Sequence, residues 1–70
     1  MQRWEFLEIV PASSSEGVKV ISVDGRPLPD WDKGPGFYDY LKQLGNEGWE
    51  LVAVTQFEKY RTFYFKRPKP

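Results

Sequence analysis

The chain has 70 residues, ten basic and ten acidic side chains, and neither cysteine nor histidine. A chain this short forms one domain whose folding hides only about 60% of the unfolded surface, and without cysteine or histidine it has no disulfides and no thiolate or imidazole metal site to reinforce it. Its zero net charge supplies no long-range field toward nucleic acid or an anionic membrane.

In chain order, Arg3 to Val10 (RWEFLEIV) alternates, with Trp4, Phe6 and Glu8 on one side and Glu5, Leu7 and Ile9 on the other, which predicts a first strand. Pro11 is expected to end it, because proline cannot donate to a ladder. Ala12 to Gly17 (ASSSEG) has turn chemistry, and Val18 to Val23 (VKVISV) is β-branched and alternating, a second strand hairpinned to the first. Asp24–Gly25 signals a turn. Arg26 to Gly36 (RPLPDWDKGPG), with three prolines and two glycines, predicts an ordered loop around Trp31.

Phe37 to Asn46 places Phe37, Tyr40, Leu41 and Leu44 at helical spacing, which predicts one amphipathic helix of about three turns. Gly48 is its expected stop, with Gly45 as a competitor, since glycine enters the left-handed region without a side-chain clash. Trp49 to Phe57 (WELVAVTQF) and Tyr60 to Lys66 (YRTFYFK) predict two further strands around a Glu58–Lys59 tip, and residues 66–70 a frayed end.

The order β-β-α-β-β makes this a single α+β domain, a mostly antiparallel sheet of about four strands with one helix packed on one face. Phe37, Leu41, Leu44, Trp49 and Leu51 are the expected core. Trp49, Leu51 and Ala53 alternate with Val52 and Val54, so the third strand reads as apolar on both faces; the fourth likewise offers Tyr60 and Tyr64 against Phe63 and Phe65. A sheet with one solvated face should alternate cleanly. One helix covers one face, and the other is expected to meet a partner.

Three segments, WEFLEIV, LKQLGNEGWELVAV and YFKRP, resemble the small bacterial domains of unknown function grouped as DUF4177. In that family a tryptophan-led strand, a leucine-rich helix end running through glycine into tryptophan-glutamate-leucine-valine, and a closing aromatic-lysine-arginine-proline recur. The resemblance leaves Pro11 to Gly36 without a counterpart. It implies a fold and a bacterial or phage origin, and it brings no catalytic residue with it.

Residues that could carry chemistry read more simply as structure. Glu47 and Glu50, or Asp30 and Asp32, could pair as acid and base only in a cleft that raises one pKa. Asp30 to Gly34 fails the calcium-loop pattern, which requires glycine sixth and glutamate twelfth where this chain has Pro35 and Leu41. Ser13 to Ser15 have no base to activate them. Arg61, Phe63, Phe65 and Arg67 alternate on one face, as in sheets that stack bases, but without the glycines or the basic charge of such sheets. No enzyme activity, metal or cofactor is expected.

Two functions of different class follow. The first is a non-enzymatic interaction module, a homo-oligomer assembled through the sheet face the helix leaves uncovered or through an exposed edge strand, with Val52, Val54, Phe63 and Phe65 at the interface. The second is a binder of a small anionic ligand or nucleotide, sequestered in a pocket at the subunit interface, with Trp31 stacking and Arg61 or Arg67 holding the anion. Nucleic acid and membrane are not expected partners. MQRWEFLEIV lacks the pattern of a signal peptide, so the chain is expected in the cytoplasm.

Overall fold

A computed structural model describes residues 1–70. The strands are β1 (Trp4–Ser14), β2 (Gly17–Val23), β3 (Arg26–Pro27), β4 (Glu50–Phe57) and β5 (Tyr60–Pro68), with a single 3-10 turn at Trp31–Lys33 and one helix, α1 (Phe37–Asn46). All strand pairings are antiparallel, in the order β3-β2-β1-β5-β4. The fold is the α+β sheet with one helix that the sequence predicts, with one more short strand. No helix is long and apolar enough to cross a membrane.

Alternation in β1 sets the two faces. Leu7 and Ile9 pair with Phe65 and Phe63 of β5 on the helix side, while Phe6 pairs with Lys66 on the other. Asp24 and Gly25 both have positive φ, 53° and 77°, as the two central residues of a type I′ hairpin require, and they turn β2 into β3. The Asp24 carboxylate also accepts the Glu8 N–H at 3.0 Å, which ties this turn to β1.

The helix spans Phe37–Asn46, the predicted bounds, and ends in a Schellman motif at Gly48. Trp49 N–H donates to Leu44 O at 3.0 Å and Gly48 N–H to Gly45 O at 3.1 Å, with Gly48 at φ 89°. Gly48, not Gly45, is therefore the stop, and the turn brings Trp49 back against the core beside Leu44.

The core is Ile9, Val20, Phe37, Leu44 and Phe65, with Leu7, Val23, Leu28, Tyr40, Leu41, Trp49 and Phe63 packed around it. The Phe37 and Phe63 rings meet edge to face at 4.9 Å. Only these five residues of 70 are buried, a core too small to offset much chain entropy.

Four expectations are corrected. β1 runs through Pro11 to Ser14. Pro11 sits at a register shift and beyond Ile9, the last residue paired to β5, and bulges and one-sided strands tolerate a missing N–H. Residues 66–68, expected to fray, extend β5, and Lys69 N–H donates to Arg3 O at 2.9 Å. Leu51, expected in the core, is 50% exposed. Finally, a bulge between Leu51 and Ala53 leaves Val52 without a partner, so Leu51 pairs with Phe65 and Val54 with Phe63. Cross-strand partners share a face, so Leu51 and Val54 lie on the helix side and Ala53 on the other: one extra residue inverts the alternation.

Candidate functional site

Two regions stand apart from the core: the outer strand β4, and a cleft between the two hairpins. The helix packs toward β2. Its diameter of about 10 Å spans roughly two inter-strand spacings of about 4.8 Å, so a helix centred on the β2 side of a five-stranded sheet leaves the β4 side bare. All eight β4 residues are exposed. Leu51, Val52, Val54 and Phe57 keep 46 to 78% of their surface in water.

Of the four residues expected at an oligomer interface, Val52 and Val54 lie on this bare strand. Phe65 is 4% exposed and belongs to the core, and Phe63 packs against Phe37. α1 already covers that part of β5, so neither aromatic is free for a partner. On the helix-free face, Trp4, Phe6 and Tyr60 are exposed, and Lys66 Nζ lies 4.3 Å from the centroid of the Trp4 ring.

The chain exposes 5356 Å², whereas surface scaling gives about 4,500 Å² for a compact monomer of its mass. The radius of gyration is 12.6 Å against about 11 Å for a compact domain of this length. Both departures accompany an elongated shape, 45 × 26 × 18 Å along the principal axes.

The cleft forms where β1 and β5 part. Their pairing ends at Ile9 and Phe63, yet β1 continues to Ser14 and β5 begins at Tyr60. The β1–β2 and β4–β5 hairpins splay from that point and flank an open cleft of about 580 Å³ lined by Ser13, Trp31, Gln56, Lys59, Tyr60 and Arg61 among others. Trp31 and Arg61, two of the three predicted ligand residues, are thus brought together.

Arg67 is not with them. It lies six residues along β5 from Arg61, about 20 Å in an extended strand. Its guanidinium pairs with Glu5, donates to Glu47 O at 2.9 Å and sits 4.2 Å from the centroid of the Trp49 ring. These contacts pin the helix stop to β1 and β5. Asp30 and Asp32 flank Trp31 in sequence but do not line the cleft.

Ser13, Gln56 and Lys59 also line the cleft, and sequence reasoning missed all three. In sequence Lys59 belongs to a hairpin tip, and only the divergence of the two hairpins gives that tip a wall to face. One titration is displaced: the Tyr40 hydroxyl is held above its ordinary pKa, first by burial and then by the charges of Glu47 and Asp24. Tyr40 packs against the core, away from the cleft lining. No group of three or more acidic, histidine or cysteine side chains is placed to hold a metal ion. No protein-family model, no curated protein and no solved structure matches this chain.

Proposed function

We propose that the chain is a non-enzymatic interaction module of the cytoplasm that assembles with copies of itself through β4. The observation that supports this most is an eight-residue outer strand that is exposed along its whole length and apolar on both faces. A strand edge presents a row of unpaired N–H and C=O groups, a template for a further strand.

Several features favour a second copy as the occupant. The surface in excess of a compact monomer, about 850 Å², is comparable to the roughly 800 Å² each partner gives up in a standard interface. The only charged residue of β4 is Glu50, at its start, so antiparallel pairing of two copies centred between Ala53 and Val54 sets Glu50 opposite Phe57 and no carboxylate against its twin. Such an isologous contact closes as a dimer, and it reinforces a core of five buried residues in the way small domains usually require.

Sedimentation velocity across micromolar concentrations tests the reading. A dimer or larger species that dissociates on dilution is expected. A compact monomer at every concentration would sink it.

A further inference from the structure

We propose that the cleft between the two hairpins binds a small ligand that joins a flat ring to an anionic group. Its lining residues other than Gln56 lie outside β4, so the site does not need the self-association proposed above. Its volume of about 580 Å³ is within the range of small-molecule sites, roughly 300 to 1,000 Å³.

The charge pattern selects the ligand. In a chain of zero net charge, the charged residues lining the cleft are Lys59 and Arg61, and no carboxylate joins them. Neither is neutralised elsewhere, because the ion pairs of the structure are Lys19–Glu16 and Arg67–Glu5. An arginine with unused donors offers a planar fork to a carboxylate, sulfate or phosphate, and a neighbouring ammonium adds a point charge. Gln56 and Ser13 add neutral hydrogen-bonding groups on the two opposing walls.

The ring comes from Trp31, which is half-buried at the cleft. Its backbone is fixed by the 3-10 turn, with Lys33 N–H donating to Asp30 O at 3.0 Å and Gly34 N–H to Trp31 O at 3.1 Å. The Lys19 ammonium donates to Gly34 O at 2.8 Å and ties this turn to β2. A tryptophan whose backbone is fixed before binding has less freedom to lose on contact, which favours stacking of a flat ligand. Lys59 Nζ lies 5.5 Å from the Tyr60 ring centroid, at the rim of the cleft.

The test is a ¹H–¹⁵N NMR titration of the full chain with phenyl phosphate and benzoate, which carry both features, and with inorganic phosphate and phenol, which carry one each. Saturable shifts confined to the Trp31 indole, Ser13, Gln56 and residues 59 to 61 are expected for at least one of the two-feature probes, and the tighter of the two identifies the anion class. Each single-feature probe should bind at least about tenfold more weakly, and Arg61→Gln, at an exposed position, should weaken the two-feature probe by about tenfold or more, the usual cost of a lost charge-assisted hydrogen bond. Shifts centred elsewhere, no saturable shift with either two-feature probe, phenol binding as tightly as phenyl phosphate, or unchanged affinity in a folded Arg61→Gln chain would overturn the proposal.

Discussion

The sheet has two edges, and they are built to opposite ends. β3 is two residues long and ends in proline, which offers a new strand almost no ladder to join. β4 is eight residues long, has no proline or lysine, and carries its only charge at its first residue. The bulge at Val52 is its one device of edge protection, and a bulge twists an edge without removing it. A sheet that closes one edge and leaves the other open to water has an asymmetry that solvation alone does not explain. The proposed pairing of β4 with a second copy would account for it.

The largest expected effect separates the strand beside that edge from the edge itself. Phe65→Ala should lower folding stability by about 3 to 5 kcal/mol, the cost of truncating a core phenylalanine, measured by urea denaturation. An intact stability with only lost association would return Phe65 to the interface.

Next is the edge. Val54→Glu places a carboxylate within the proposed seam and should weaken association about 100-fold, or roughly 2.7 kcal/mol, in sedimentation equilibrium. Pro27→Thr on β3 should leave association unchanged. Equal sensitivity at the two edges would erase the contrast between them.

Gly48→Ala asks how much β4 owes to the helix stop. A Cβ there meets nothing within 4 Å, so the expected loss is the conformational cost of the positive φ alone, about 1 to 2 kcal/mol, with association retained once the chain is folded. A loss well beyond this in thermal unfolding would mean that β4 is placed by the stop itself.

The smallest effect is at Tyr40. Its folded-state pKa lies above the ordinary 10.0, so the folded state holds the proton more tightly than the unfolded state. The associated stability is fully present below pH 10 and is lost as the pH rises through the folded-state value. Tyr40→Phe should flatten this alkaline decline and leave the neutral-pH oligomer unaltered.

Local features carried the fold into the sequence. The periodicity from Phe37 to Leu44 and the glycine at 48 placed the helix and its stop, because both depend on residues within a turn or two of each other. The faces of β1 were equally legible, since Ile9 and Leu7 alternate with Phe6 and Glu8. The bulge at Val52 was not: Glu50 to Phe57 carries no glycine or proline to mark it, and its effect on the faces of Leu51 and Val54 is fixed only by pairing with β5. Pro11 looks like a terminator in sequence, because its tolerance depends on where β5 stops. The same limit applies to the cleft. Arg61 and Arg67 share a face by alternation, and only the long-range contacts of Arg67 with Glu5 and Trp49 reveal that one is structural while the other faces the cavity.

The most direct measurement of the central claim is amide hydrogen exchange along β4 at low and high protein concentration. Alternate β4 amides point away from β5. Pairing with a second copy predicts that these outward amides become protected as concentration rises, approaching the protection of the inward set. Fast, concentration-independent exchange of the outward amides, alongside protected inward ones, would contradict it.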